Sequence, residues 1–306
     1  MSPTPSARVD VRKTYKLYVG GAFPRSESGR SYEVHAAPAR AGARPRLLAN
    51  AAMGSRKDAR DAVVAARKAQ PGWAGATAYN RGQVLYRVAE VMESRRAQLV
   101  QDVRDAEGGS ASRAEALVSA AVDRWVWYAG WSDKYPQVLG GLNPVAGPFF
   151  DISVPEPTGV VAVLAPQASS LLGLVSVIAP VVVSGNTAVV VASEQRPLPA
   201  VTLAECLATS DVPGGVVNIL TGRTAEMAPW LASHRDVNAV DLAGAAGATG
   251  VDWGTLEEAA ADSVKRVLRP AGTGSEATEP DWTAAPGLSR LSAFVETKTV
   301  WHPKGR

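Results

Sequence analysis

The stretch GVVAVLA at Gly159–Ala165 decides the fold of this chain. A continuous apolar run without polar alternation is typical of a strand buried on both faces of a parallel sheet. Three more strand-like runs follow it, at Thr187–Val191, Val216–Leu220 and Ala239–Leu242. Because helix-like runs separate these strands, the sequence predicts an α/β fold with a Rossmann-like, doubly wound parallel sheet.

The helices between these strands are predicted at Leu171–Val183, Pro199–Thr209 and Ala225–Ser233. After the fourth strand, Gly244–Gly250 leads into an amphipathic stretch that predicts a further helix over Leu256–Leu268.

Upstream of the sheet, the sequence predicts three helices. Ser55 and Asp58 have the spacing and chemistry that favour a helix start, and Pro71-Gly72 is expected to stop that helix. A second helix is predicted over Asn80–Glu107 and a third over Ser110–Tyr128. Four aromatic residues near the end of the third helix form either core packing or a ligand or partner surface: Trp125, Trp127, Tyr128 and Trp131.

Composition excludes several classes of function. The 306 residues are 46% hydrophobic and 20% charged, which is typical of a soluble globular protein. A formal charge of +3 gives no reason to expect nucleic acid or a membrane surface as a partner. One cysteine and three scattered histidines predict neither a disulfide nor a metal site, and we expect a cytoplasmic protein.

The chain divides into four regions by composition. We expect a flexible tail at 1–14, a main body at 15–268, a linker at 269–290 and an assembly strand at 291–306. Within the body, Phe149–Glu156 alternates like an antiparallel strand and is expected to belong to an oligomerisation hairpin.

Candidate cofactor residues follow the carboxyl ends of three predicted strands. Glu194 can accept hydrogen bonds from ribose hydroxyls, while Gly222 and Gly244 can let the backbone approach a phosphate or adenine. The alternative is that Glu194 is a solvated loop charge and that both glycines meet turn requirements. The sequence has no G-x-G-x-x-G motif, so these three residues carry the cofactor prediction.

A set of motifs in family order resembles the aldehyde dehydrogenase superfamily over residues 15–268. The motifs are Gly159–Pro166, Ile178-Ala179-Pro180, Gly185-Asn186-Thr187, Ser193-Glu194-Gln195 and Pro213–Asn218 with Thr221-Gly222. Phe294–Val300 is similar to the C-terminal tail of that family, which forms an oligomerisation arm together with a hairpin at the position of Phe149–Glu156. The resemblance implies a Rossmann-like cofactor domain for NAD or NADP.

The chain departs from the family pattern at residues that carry chemistry. Ala168 stands where the family has an oxyanion-binding Asn, Val191 replaces a Lys that meets the ribose, and Ala245 replaces a Ser near the pyrophosphate. Thr224 stands where a Gly is expected, and after Lys265-Arg266-Val267 the family's acidic residue, Gly pair and catalytic domain do not follow. The resemblance is therefore to a truncated member that lacks the catalytic-cysteine domain, with NAD(P) binding weakened or lost.

The single cysteine offers no replacement nucleophile. Cys206 lies in the predicted apolar helix Pro199–Thr209, where a buried thiol is inert. Covalent oxidation of an aldehyde requires a thiolate, donors for the developing oxyanion and a base that activates water. The sequence therefore predicts no catalytic residue.

Three functions are compatible with these observations. The first is a non-catalytic subunit that assembles with a complete aldehyde dehydrogenase or with itself. The second is an active NAD(P)-dependent oxidoreductase acting on the aldehyde or oxo group of donors, and the third is an NAD(P)-binding module. For the first function, the expected contact residues are Phe294, Thr297, Thr299 and Val300. The strand that holds these four residues can alternatively fold back on its own chain.

Overall fold

A computed structural model describes residues 13–38, 42, 44–272 and 277–305. Its strands are β1 Thr14–Tyr15, β2 Ser31–His35, β3 Leu47–Ala52, β4 Gly141–Asn143, β5 Phe149–Pro157, β6 Val160–Leu164, β7 Thr187–Val191, β8 Val217–Leu220, β9 Ala239–Asp241, β10 Arg266–Leu268 and β11 Val295–Pro303. Its helices are α1 Arg56–Gly75, α2 Ala78–Ser94, α3 Arg96–Glu107, α4 Ala111–Ala129, α5 Tyr135–Leu139, α6 Leu172–Val183, α7 Leu198–Ala208, α8 Thr224–Ser233, α9 Trp253–Ala261 and α10 Ser289–Ser292. Residues 1–12 of the tail predicted at 1–14 lie outside the described residues. Thr14, at its end, pairs with Asn50 in a small sheet of β1, β3 and β2.

Five parallel strands form the central sheet, in the order β10-β9-β6-β7-β8. Strands β6 to β9 are buried along their whole length because their residues are almost all apolar. Helices α6 and α7 cover one face, and α1, α8 and α9 cover the other. The predicted doubly wound α/β fold is confirmed: successive strands are added on one side of β6 up to β8 and on its other side from β9 onward.

Helix α1 begins as predicted but ends later. The Ser55 hydroxyl accepts from the amides of Lys57 and Asp58, and the Asp58 carboxylate accepts from the Ser55 amide. The predicted stop at Pro71-Gly72 is wrong, since the helix continues to Gly75. The buried Trp73 indole donates to the Val182 carbonyl at 2.8 Å, so tertiary packing holds the last turn despite the proline.

The predicted second helix is two helices. Arg95 has φ −106° and ψ 15°, which ends α2 at Ser94 and starts α3 at Arg96. Both segments keep the predicted apolar stripe, so the stripe alone did not reveal the break. The third helix matches its prediction, and Trp125 and Tyr128 near its end are buried in the core.

The predicted helix over Leu256–Leu268 is wrong in its second half. Helix α9 ends at Ala261, and Arg266–Leu268 forms β10, which pairs in parallel with β9. The turn between them places Val264 at φ 53°, a left-handed conformation that breaks the helix.

Strands β4, β5 and β11 form a separate antiparallel sheet, which we call the arm. Strand β11 pairs with β5 over nine residues, from Val295 opposite Pro157 to Pro303 opposite Phe149. The terminal strand therefore folds back on its own chain along one edge. Phe294, one of the four predicted partner contacts, has its side chain fully buried in the main core of its own chain.

The region predicted as a linker is partly built into the body. Trp282 is buried, and α10 begins at Ser289 within the predicted linker. Among the described residues, no helix is long and apolar enough to cross a membrane.

Candidate functional site

The carboxyl edge of the central sheet is the natural ligand-binding edge of this fold. Loops after parallel strands present free backbone amides there, and the crevice lies where the strand order reverses. The three predicted site residues all lie at this edge, following β7, β8 and β9.

Glu194 lies after β7 and lines a cavity of about 390 Å³ together with Tyr32 and His35. Its backbone amide donates to the Gln167 side-chain oxygen at 3.1 Å. Burial raises the pKa of the Tyr32 phenol, and the nearby Glu194 charge raises it further. Glu194 therefore lies beside the Tyr32 phenol in a cavity that reaches the N-terminal sheet.

Gly222 is required by backbone packing. Its φ is +133°, and a side chain there would come within 2.9 Å of the Gly54 amide nitrogen. Gly54 itself donates its amide to the Thr221 carbonyl at 2.8 Å. The loop before α1 and the loop after β8 thus approach more closely than any side chain at 222 allows.

Gly244 is also required by packing. Its amide donates to the Leu164 carbonyl at 3.2 Å, and a Cβ at this position would collide with the Ala165 carbonyl. The two glycines therefore hold the strand ends together at separate places. The structure does not bring Glu194, Gly222 and Gly244 into one cavity.

A small cleft between α8 and α9, here called the slot, also lies at this edge. Its volume is about 180 Å³, and its lining includes Ala225, Pro229 and Leu256. Asp252 stands at its rim, and hydrogen bonds from the Thr255 hydroxyl and the Gly254 amide lower the pKa of its carboxyl. The lining of the slot is mostly apolar, and the Asp252 charge at its rim disfavours a phosphate beside it.

The loop after β6 has no polar side chain at the position that the resemblance assigns to an oxyanion-binding Asn. The Gln167 side chain is engaged with the Ala165 carbonyl at 2.9 Å and with the Glu194 amide, and Ala168 has no polar side chain. Thr224, at the start of α8, is buried, and its hydroxyl finds no hydrogen-bond partner within the described ranges.

Cys206 does not have the environment of a catalytic nucleophile. It is fully buried in α7, and burial raises the pKa of its thiol to about 11, with the charges of Glu205 and Asp102 adding to the rise. The thiolate is therefore a very small fraction of the residue at neutral pH. In the described part of the chain, no group of three His, Cys, Asp or Glu side chains could hold a metal ion.

Two acidic residues matter here that the sequence did not single out. Glu279, from the predicted linker, reaches back to the Gln167 and Ala168 amides. Asp241, at the end of β9, is completely buried and paired with Arg290. The sequence carries one signal here: Trp282 is a large apolar residue in a stretch otherwise rich in Gly, Thr, Ala and Pro. It indicates that this stretch packs against the body, but it does not indicate where Glu279 lies.

Comparison with known proteins gives a consistent result. The profile of the "Aldehyde dehydrogenase family" matches residues 31–277. Cytosolic aldehyde dehydrogenase 1 of Elephantulus edwardii is 30% identical over 270 residues, which cover 87% of this chain and 51% of that protein. The putative aldehyde dehydrogenase DhaS of Bacillus subtilis is also 30% identical, with 87% and 52% covered.

A solved structure shares the same fold. The NAD⁺ complex of the Bacillus cereus aldehyde dehydrogenase superposes with a TM-score of 0.76 at 27% identity, covering 83% of this chain and 50% of that one. The chain thus spans about half the length of the curated relatives and of the structure that it matches.

Proposed function

Because this chain belongs to the aldehyde dehydrogenase family, we propose that it is a non-catalytic member that assembles through its arm. Its partner is a complete aldehyde dehydrogenase subunit or a second copy of itself. One observation carries the non-catalytic half of the proposal: the sole cysteine is buried in α7, with its thiol pKa raised to about 11.

The chemistry of the family explains why this observation matters. A covalent route needs a thiolate beside the carbonyl carbon and donors for the developing oxyanion. Cys206 cannot reach a substrate at the carboxyl edge from inside the α7 packing, and Ala168 offers no side-chain donor in the loop after β6. The loss of one oxyanion donor alone costs about 100- to 1000-fold in rate.

The arm supports the assembly half of the proposal. In the pairing register, Leu142, Ile152 and Val300 lie side by side across the three strands and share one face of the sheet. Their side chains are 65%, 43% and 44% exposed. Phe150 and Val154 extend the same face and are also exposed. A contiguous apolar face of this kind marks a surface that another protein covers.

The outer edge of β11 adds backbone groups to that surface. Strand β11 is the edge strand of the arm, and no other strand of the described residues pairs with its free side. The Thr299 and Ser153 hydroxyls lie 2.9 Å apart on the face of the arm opposite to the apolar face. Thr297 shares the face of Thr299. We therefore propose that Thr297 and Thr299 contact the partner through the strand edge and that Val300 contacts it through the apolar face.

Dinucleotide binding is proposed to be weak. The similar Bacillus cereus enzyme is an NAD⁺ complex. In this chain, Val191 is buried at the end of β7, where it supplies no cation, and Ala243 and Ala245 are buried without a hydroxyl group. An NAD(P)-binding module is the second candidate, which the slot between α8 and α9 favours. Calorimetric titration with NAD and NADP tests it, and no heat at millimolar ligand would reject it.

The main proposal is tested on the purified chain, alone and mixed with a complete aldehyde dehydrogenase from the same cell. We expect sedimentation to give an oligomer or a mixed complex, and Ile152→Lys to dissociate it because the new charge cannot be buried on the apolar face. Val64→Lys is the matched control, since Val64 is an exposed apolar residue on α1, away from the arm.

Activity is measured in the same preparations from the absorbance of reduced nicotinamide. We expect the isolated chain to oxidise no aldehyde, and Cys206→Ser to behave identically. Turnover by the isolated chain, whether or not it survives Cys206→Ser, would contradict the non-catalytic proposal. A monomer in every mixture would contradict the assembly proposal.

A further inference from the structure

Residues 277–294, here called the strap, lie back over the main body. Trp282, Leu291 and Phe294 from this segment are buried in the same core as α4 and α6. Much of what the sequence suggests is an open linker therefore packs as part of the folded body.

Side chains of α4 fix the path of the strap. The buried Arg124 guanidinium donates to the carbonyls of Trp282 at 3.1 Å and Ala284 at 2.8 Å. The Tyr128 hydroxyl donates to the Gly287 carbonyl at 3.3 Å. These contacts hold the strap backbone at three points, so its position is specified rather than incidental.

Both oxygens of the Glu279 carboxylate are engaged. One accepts from the amides of Gln167 at 2.6 Å and Ala168 at 3.3 Å, and the other accepts from the Trp282 indole at 3.2 Å. The first oxygen also lies against Gly247, where an added Cβ would be 2.7 Å from it. Glu279 thus spans the gap from the loop after β6 to the turn after β9.

That gap is the topological switch point of the sheet. Strand β6 has β7 and β8 on one side and β9 and β10 on the other, so the loops after β6 and β9 leave in opposite directions. Ligands of such sheets bind in this crevice, and consecutive backbone amides there attract anionic groups. A carboxylate of the chain already occupies the position of that anion.

We propose that the strap is an autoinhibitory cover and that Glu279 acts as its internal anion. In the folded chain, Glu279 occupies the two amides and places a negative charge where a phosphate-bearing ligand would approach. The ligand class excluded is a nucleoside diphosphate or a dinucleotide. This inference deepens the proposed function, on which it rests, because it supplies a cause for weak cofactor binding.

The test compares wild type, Glu279→Ala and Glu279→Gln, with Glu90→Ala as the matched control. Glu90 is an exposed glutamate on α2, far along the chain from the strap. Calorimetric titration with ADP should show affinity that rises about tenfold or more in Glu279→Ala, because a like charge is removed from the crevice. Glu279→Gln keeps the shape and loses the charge, so it should also gain affinity.

Hydrogen exchange gives a readout that needs no ligand. The Gln167 and Ala168 amides should exchange slowly in wild type and in Glu90→Ala, and at least tenfold faster in Glu279→Ala, because their acceptor is gone. If Glu279→Ala does not fold, Glu279→Gln and the wild-type exchange rates still decide the question.

Two results would overturn the inference. One is ADP affinity in both Glu279 variants equal to that of wild type and Glu90→Ala, and this includes the case in which none of the four proteins binds. The other is fast exchange of the two amides in wild type. Neither result bears on oligomer mass or aldehyde turnover, so failure of the strap proposal is distinguishable from failure of the proposed function.

Discussion

Single residues at the carboxyl edge set what this family member can do. Val191 and Ala245 are buried, so their side chains contribute packing at positions where the family resemblance implies a Lys near the ribose and a Ser near the pyrophosphate. Gly222 and Gly244 are retained for close backbone approach, which is needed whether or not a ligand binds. Their presence alone therefore supports the fold and not a cofactor.

A part-buried carboxyl on α3 makes stability depend on pH. Asp102 accepts from the Thr202 hydroxyl at 2.6 Å. Burial raises the pKa of Asp102 to about 6; hydrogen bonding from Thr202 and the charge of Lys13 oppose the rise, while Asp105 and Glu205 add to it. Because the folded pKa lies above the unfolded value, the stability linked to this group is complete below about pH 4 and is lost as pH rises through 6.

We therefore expect Asp102→Asn to flatten the pH dependence of the unfolding free energy between pH 4 and 7. At pH 7 the variant should be more stable than wild type by about 1–2 kcal/mol, since it removes a desolvated charge and keeps an acceptor for Thr202. Urea unfolding at several pH values measures this. Asp123→Asn, an exposed carboxylate on α4, should keep the wild-type slope; an unchanged slope in Asp102→Asn would refute the assignment.

At the scale of elements, sequence reasoning succeeded where the pattern was strong and local. The buried strands β6 to β9 and the cap of α1 follow directly from apolar runs and from the Ser55–Asp58 spacing. It failed where tertiary contacts decide. Trp73 holds α1 beyond Pro71, and the pairing of β10 with β9 converts the end of a predicted helix into a strand.

The site was less predictable than the fold, for a related physical reason. Glu194 could be placed because it directly follows a predictable strand. Glu279 could not, because its position depends on how Trp282 and Arg124 direct a long segment of irregular backbone. No periodicity in the sequence encodes that path.

The turn between α9 and β10 carries strain that a substitution can relieve. Val264 is β-branched, 90% exposed and has a φ of 53°. A left-handed conformation costs a residue with a Cβ about 1–2 kcal/mol, whereas glycine adopts it freely at some cost in unfolded-state entropy. We expect Val264→Gly to raise the free energy of unfolding by about 0.5–1 kcal/mol.

The control for this prediction is Val64→Gly. Val64 is exposed on α1, where glycine is a poorer helix former than valine, so this variant should lose a few tenths of a kcal/mol. Denaturant unfolding of both variants measures the difference. A loss of stability in Val264→Gly similar to that in Val64→Gly would show that the turn is not strained.

At the scale of the whole molecule, the strap links helices on one face of the sheet to a strand inside it. It connects α4 and α6, packed on one face of the sheet, to β9 within the sheet through α10. The arm and the strap adjoin at Phe294, whose carbonyl accepts from the Asn186 side chain at 2.7 Å. Anchoring of the strap therefore also fixes the start of β11, so the assembly and the autoinhibition that we propose would both depend on this packed segment.

The ion pair of the part-buried Arg290 with the fully buried Asp241 is one link in that connection. Asp241 has no exposed surface, its carboxylate also accepts from the Ala243 amide at 3.0 Å, and the Arg290 guanidinium lies 5.4 Å from the centre of the Trp282 ring. Burial raises the pKa of the Asp241 carboxyl, while Arg290 opposes that shift. Removal of one partner leaves the other charge buried and unpaired.

We expect Arg290→Met to lower the free energy of unfolding by about 3–5 kcal/mol. The double variant Asp241→Asn with Arg290→Met should recover most of that loss, because asparagine keeps an acceptor for Ala243 and carries no charge. Arg269→Met, which breaks the exposed pair with Glu257, is the control and should change stability little. If the double variant were no more stable than Arg290→Met, the cost would come from lost strap packing and not from the buried charge.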